Sequence, residues 1–292
     1  MRYRVTHRTE YRYDAVVSTS FGTAHLLPRE LHNQRCAKAT VTITPDPAEL
    51  REHVDYFGNR TLYFSVRHPH TKLVVTSTSE VDVQPRSGDS SLLGEQRWEL
   101  VRDRLTRELT DDAIDARQFV LDSPLIATSD ALRAYADESF PAGRTVTTAV
   151  ADLVHRIHTD FVYKPGVTSV TTTLDELLVL REGVCQDFAH LAIGCLRSLG
   201  LAARYVSGYL ETDPPSGRPK LQGADVSHAW VSVFVPGVGW FDVDPTNDQF
   251  VTDRYVTTAW GRDYGDVPPL KGVIFTEGKT ADMTVEVDVT AV

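Results

Sequence analysis

Three positions in this 292-residue sequence combine residue types and spacings suited to nucleophilic chemistry: Cys185, His228, and a carboxylate at Asp242 or Asp244. Cys185 lies in Arg181-Glu182-Gly183-Val184-Cys185-Gln186-Asp187-Phe188-Ala189-His190-Leu191. The apolar residues that follow, Phe188, Ala192, Cys195 and Leu199, are spaced 4, 3 and 4 apart, and Gly200 ends the run. That period marks one face of a buried helix, with Cys185 in its first turn just after a flexible Gly183. There the helix dipole favours a thiolate, and the cysteine's own backbone N–H is free to hold a developing oxyanion. Cys195 on the apolar helix face, and Cys36 with no helix start nearby, read instead as small hydrophobes.

A thiol needs a base. His228 stands 43 residues further on, at the start of an apolar strand in Ser227-His228-Ala229-Trp230-Val231. An imidazole at a strand end can take the thiol proton and return it to a leaving amine, although a lone histidine there also serves as a plain polar cap. Asp244 follows after 16 residues in Gly239-Trp240-Phe241-Asp242-Val243-Asp244-Pro245-Thr246-Asn247, enough for a turn and a neighbouring antiparallel strand. A carboxylate on that strand would accept the imidazole N–H and fix its tautomer. Asp242 faces the same side, so spacing does not choose between the two, and Asp before Pro is also a turn signal.

Other chemistries find less support. His190, five residues after Cys185 on the same helix, lies about 500° around it and points elsewhere. No Cys/His set has zinc spacing, no Asp-rich calcium loop occurs, and Gly237-Val238-Gly239 reads as a turn between strands. Neither cofactor nor metal is expected. Arg262, Asp263 and Asp266 read as a structural charge network.

The elements that must hold these residues change character along the chain. Residues 1–85 read as β structure: Tyr3, Val5, His7 and then Tyr11, Tyr13, Ala15 alternate, and Thr40–Thr44 and Leu73–Val83 are β-branched. Gly58-Asn59, between Tyr56-Phe57 and Leu62-Tyr63-Phe64, signals a hairpin. An antiparallel sandwich-like module is expected. Gln84–Ser91 is a polar linker, and residues 86–145 form a helical connector, with Ser129 capping a helix that carries Leu132, Tyr135 and Ala136. Residues 146–292 form the core. A helix bears Val146, Ala149, Val150, Leu153, Val154 and Ile157, and Thr173-Leu174-Asp175-Glu176 is a capping box. Strands follow at 203–210, 229–235 and 240–243, with a loop over Asp213–Pro219 and a last strand over Met283–Val289.

Composition bounds the partners. A formal charge of −10 and a pI near 5.4 argue against nucleic acid, whose binding rests on neutralising phosphates. Residues 1–85 carry 11 basic and 9 acidic side chains against 19 and 31 in the remainder, which fits a boundary near 85. Three cysteines cannot form a disulfide framework. No apolar run reaches membrane-span length, the N-terminal residues lack the apolar run of a secretory leader, and a cytoplasmic location is expected. Nothing in the sequence indicates an oligomeric state.

Taken together, Gly183–Leu191, Ser207-Gly208-Tyr209, Ser227–Val231 and Phe241–Asn247 resemble the core of the transglutaminase-like superfamily. Thr6–Tyr13, Asp55–Arg60 and Gly261–Pro269 resemble segments of its bacterial members. The resemblance implies an α+β fold with a papain-like core, the cysteine helix packed on an antiparallel sheet that bears the histidine and the acid. It implies Cys185 as nucleophile, His228 as base and Asp244, which precedes the Pro-Thr pair, as the orienting acid. Tyr163 is the candidate for a second oxyanion donor. The implied activity is acyl transfer from amides of a peptide or protein substrate through a thioester, with hydrolysis favoured over cross-linking. A non-catalytic binding module of the same fold is the alternative.

Overall fold

The computed structural model describes residues 1–85, 96–212 and 227–292. Most of the expected linker at 84–91 and the whole of the expected loop at 213–219 lie outside the described residues. The chain opens with β1 (Arg2–Ala24), β2 (Gln34–Thr44), β3 (Glu49–Val54), β4 (Arg60–Val66) and β5 (His70–Val83). Their order is β2-β5-β1-β4-β3, every pairing antiparallel. Alternation along β1 buries Tyr3, Val5 and His7, as a strand with one covered face requires. β1 is a single 23-residue strand, with irregular register between Arg12 and Val17, so it passes from one set of neighbours to another.

Helices α1 (Trp98–Arg107), α2 (Asp111–Arg117), α3 (Asp130–Asp137) and α4 (Val146–Asp160) follow. Ser129 Oγ accepts the Leu132 N–H at 3.2 Å, so its capping role is realised. After β6 (Val162–Tyr163), helix α5 (Leu174–Leu180) opens with the expected capping box, Glu176 N–H donating to Thr173 Oγ1 at 3.3 Å and Thr173 N–H to Glu176 Oε2 at 2.8 Å. β7 (Glu182–Gly183) pairs in parallel with β6 and leads into α6 (Cys185–Ser198). The core sheet comprises β8 (Ala203–Leu210), β9 (Ser227–Val235), β10 (Gly239–Asp244), β11 (Gln249–Phe250) and β12 (Tyr255–Gly261), in order β11-β10-β9-β8-β12. Phe188, Leu191, Ala192, Cys195 and Leu199 of the α6 region pack against Ala203, Tyr205, Ala229, Val231 and Val233 of this sheet in the largest hydrophobic cluster. Each large apolar side chain buried there contributes about 1.5–3 kcal/mol.

Two expectations change. The final strands, β13 (Leu270–Thr276) and β14 (Ala281–Ala291), do not extend the core but pair with β1, Tyr3 opposite Ala291 and Gly22 opposite Gly272. The tail thus closes the N-terminal sheet, a partnership across the whole chain for which alternation gives no local cue. The hairpin before β4 also shifts: Tyr56-Phe57 lie in the turn, because the Asp55 carboxylate gathers the Phe57 and Asn59 N–H groups at 2.9 and 2.8 Å. Gly58 takes the left-handed φ of +76° this turn needs.

The N-terminal sheet and its loops grip with side chains the edge of β12 that no strand among the described residues pairs. Gln34 exchanges two hydrogen bonds with the Thr257 backbone, both 2.8 Å, and Asn59 does the same with Trp260 at 2.9 Å each. The Arg29 guanidinium stacks 3.5 Å from the Trp260 ring centroid. These amides stand where a neighbouring strand would otherwise satisfy the edge.

Candidate active site

Cys185 is the first residue of α6 and is half-buried. Val184 at the N-cap has no side-chain acceptor, so Asp187 supplies one in reverse: its Oδ2 accepts the Val184 N–H at 2.8 Å and the Thr168 hydroxyl at 2.7 Å. Gly183 makes this possible by being small rather than flexible. A Cβ there would stand 2.9 Å from Asp187 Cβ. Tyr163 is held beside the same turn by the pairing of β6 with β7, in register with Gly183, and its ring meets Phe188 at 6.4 Å.

His228, near the start of β9, and Asp244, the last residue of β10, meet across the sheet with Nε2–H donating to Oδ2 at 2.7 Å. Asp244 is fully buried and collects further donors. Oδ2 accepts the Tyr255 hydroxyl and Asn247 Nδ2, both at 2.7 Å, while Oδ1 accepts the backbone N–H of Thr246 at 2.8 Å and of Asn247 at 3.2 Å. Asp242 turns instead to Trp230, whose Nε1–H reaches it at 3.2 Å. The geometry therefore joins His228 to Asp244 and not to Asp242. Trp230 lies over the imidazole at 6.3 Å, with room made by Gly208, where a Cβ would stand 2.6 Å from the indole.

Burial by itself drives the His228 imidazole down. The Asp244 hydrogen bond, the pull of the Cys185 thiol and the charges of both together outweigh it, and the imidazole is held up at about 10. Burial likewise raises Asp244, yet the His228 bond and charge, with Asn247 and Tyr255, bring its carboxyl below the usual range. With Nε2 given to Asp244, Nδ1 is the ring nitrogen left for the thiol. Burial, then the charge of Cys185, raises the Tyr163 phenol.

His190 points away as expected, Nε2 accepting the Tyr264 N–H at 3.0 Å. Arg262 pairs with Asp266 at 2.9 Å, and Asp263 accepts the Leu125 and Gly265 N–H groups at 2.9 and 2.8 Å, a structural network. Among the described residues no three metal-ligating side chains converge, and no helix is long and apolar enough to cross a membrane. Sequence reasoning missed Tyr255 and Asn247. Asn247 had a cue in following Asp244 by one turn; Tyr255 had none, since it reaches the site from the far edge of the sheet.

A cysteine at a helix N-terminus packed on an antiparallel sheet that carries a paired histidine and aspartate defines a papain-like α+β protein. Comparison with known proteins narrows this. The family profile described as bacterial transglutaminase-like N-terminal region matches residues 3–82, and that of the transglutaminase-like superfamily matches residues 133–245. An uncharacterized Mycobacterium tuberculosis protein is 47% identical over 295 residues, covering 99% of this chain and 92% of that protein. A protein-glutamine gamma-glutamyltransferase of Pseudomonas aeruginosa is 37% identical over 118 residues, 39% of this chain and 18% of that enzyme. A solved structure from Cytophaga hutchinsonii, described provisionally as a cysteine protease, shares the fold with a TM-score of 0.78 at 22% identity, covering 100% of this chain and 91% of that one. The chain belongs to the transglutaminase-like superfamily, whose members are generally cysteine-dependent enzymes.

Proposed function

We propose that this chain is a thiol enzyme acting on amide bonds of a peptide or protein, through Cys185, His228 and Asp244. The observation that carries the reading is the 2.7 Å His228–Asp244 bond, with Cys185 acting on the same buried imidazole. Cys185 Sγ attacks the amide carbon, and the Cys185 N–H at the open end of α6 holds the oxyanion, with the Tyr163 hydroxyl as second donor. The His228 imidazolium gives its proton to the leaving nitrogen, so that ammonia or an amine departs and a thioester remains. Water, deprotonated by His228, then releases the acid and restores the thiol. Asp244 holds the ring in one orientation throughout.

Hydrolysis is favoured over transfer to an amine. Cys185 is half-buried and Tyr163 half-exposed, which leaves the thioester open to water, whereas transamidation needs a site that excludes it. The cysteines are free, in keeping with a reducing, cytoplasmic setting.

Alkylation by iodoacetamide, followed by peptide mass mapping, tests the reading. Cys185 should alkylate faster than glutathione at pH 6 and form a covalent acyl adduct from a peptide library, whose mass reports substrate class and acceptor together. Alkylation no faster than glutathione would mean that the fold serves as a binding scaffold.

A further inference from the structure

We propose that Tyr255 is a positioning residue for the catalytic acid, and that through it the N-terminal sheet, by its grip on β12, sets the orientation of Asp244. The proposal deepens the thiol-enzyme reading and rests on it. Asp244 Oδ2 is asked to orient His228, yet it sits at the end of a strand followed by a turn, where the backbone N–H groups of Thr246 and Asn247 fix only Oδ1. Oδ2 is held by two side chains, Asn247 Nδ2 from the turn itself and Tyr255 from across the sheet. The Tyr255 hydroxyl donates to it at 2.7 Å and itself accepts from Gln249 Nε2 at 2.6 Å. A phenol that gives its one proton to Oδ2 and takes one from Gln249 has its direction set at both ends.

Tyr255 is the first residue of β12, which among the described residues pairs with β8 on one side only. The other side is where Gln34 binds the Thr257 backbone, two residues on, and Asn59 binds Trp260. The Arg29 N–H adds a 3.1 Å bond to the Thr257 carbonyl, and Arg29 also donates to the Asn59 side chain and, at 3.1 Å, to the Phe57 carbonyl. A continuous set of bonds thus runs from the N-terminal sheet to β12, to Tyr255, to Asp244 and to His228. This assigns the sheet a part in the chemistry without its touching substrate. The groups facing Asp244 are His228 from β9, Tyr255 from β12, and Asn247 with the Thr246 backbone from the turn, with Cys185 beyond the imidazole.

The test uses the full chain, with iodoacetamide as the probe of Cys185 across pH and NMR titration of the His228 ring as an independent readout. Tyr255→Phe removes one oxygen. It should slow Cys185 alkylation at pH 6 about tenfold, the worth of one hydrogen bond to a charged group. The acid limb of the profile should rise, because an Asp244 left free to turn holds the imidazolium, and through it the thiolate, less firmly. Gln249→Leu, at an exposed position, should shift the limb the same way by less and guards against a Tyr255 variant that fails to fold. Gln34→Leu should also shift it, and should add nothing in the Tyr255→Phe background. A Tyr255→Phe or Gln249→Leu profile superimposable on that of the parent, with the parent reacting fast, overturns the positioning role alone. Additive effects of Gln34→Leu and Tyr255→Phe overturn the link to the sheet. A parent that reacts no faster than glutathione overturns the thiol-enzyme reading instead, and the His228 titration, unmoved or moved by Tyr255→Phe, then decides the role of Tyr255 by itself.

Discussion

Two histidines in the core are equally removed from water, His228 at the mouth of β9 and His190 along α6, yet their surroundings drive them in opposite directions. His190 is pushed down to about 4, chiefly by burial, with Arg197 adding to the push and Asp263 opposing it. Its Nε2 accepts a backbone N–H, which only a neutral ring can do. His228 suffers the same burial but faces a carboxylate on one side and a thiol on the other, and is held up at about 10. Burial is common to both. The partner decides which becomes a cation fit to activate a thiol and protonate a leaving group, and which becomes part of the scaffold.

The same helix carries a matching pair of thiols. Cys185 stands at its first turn and acts on the His228 imidazole, whereas Cys195 is fully buried and pushed up to about 12 by that burial. The largest effect expected is therefore at the first. Cys185→Ala should abolish amide turnover and the acyl adduct while leaving the melting temperature within a few degrees of the parent. Cys195→Ala should leave turnover intact and cost about 1–2 kcal/mol on denaturant unfolding, through the small cavity it leaves. Loss of turnover in the second variant but not the first would reverse the assignment.

Asp244→Asn asks whether His228 can be turned into another His190. The amide keeps the shape but removes the charge, so the ring should titrate well below its present value. Turnover should fall by about 10³–10⁴-fold, the loss that accompanies a wrongly held tautomer in a Ser–His–Asp site. Histidine NMR and steady-state rates read the two consequences separately. A ring that stays protonated at neutral pH in the Asp244→Asn variant would show that Cys185 alone sustains it.

The opposite shifts also give stability opposite slopes. His228, raised above its unfolded value of 6.5, contributes stability that is fully present below pH 6.5 and is lost as pH rises towards 10. His190, and likewise His7, which burial lowers to about 4, contribute stability present above pH 6.5 and lost as pH falls towards 4. Each of these two should cost up to about 3 kcal/mol by pH 4. Denaturant unfolding across pH should show a plateau near neutrality that falls on both sides. In Asp244→Asn the alkaline fall should shrink while the acid fall remains.

How much of this was legible in the sequence follows from how local each determinant is. The start and face of α6, the Ser129 cap, the Thr173–Glu176 box and the strands bearing His228 and Asp244 are written in stretches of under about 15 residues, where period and capping chemistry act directly. Spacing left Asp244 and Asp242 level, and only the family resemblance chose Asp244: both face one side of β10, and what separates them physically is that Trp230 occupies one while His228, Tyr255 and the following turn converge on the other. Nor did any local signal show that β14 lies beside β1, or that Asn59, in what read as an ordinary hairpin turn, commits its side chain to Trp260. Those partnerships join residues some 200 to 290 apart, and only the assembled sheets define them.

The smallest expected effect sharpens the comparison from its quiet side. His190→Gln keeps an oxygen that can accept the Tyr264 N–H but has no proton to gain between pH 4 and 6.5, and it gives up the ring contact with Tyr205 at 5.2 Å. At neutral pH the cost should be about 1 kcal/mol, set by lost ring packing. At pH 4 the variant should match or exceed the parent, because the parent alone must suppress protonation of a buried imidazole. Cys185 alkylation should stay within about twofold, since nothing on the path from Asp244 to the thiol passes through His190. If the parent's disadvantage at pH 4 fails to appear, His190 is already protonated in the native state, and the contrast with His228 must lie in geometry rather than in charge.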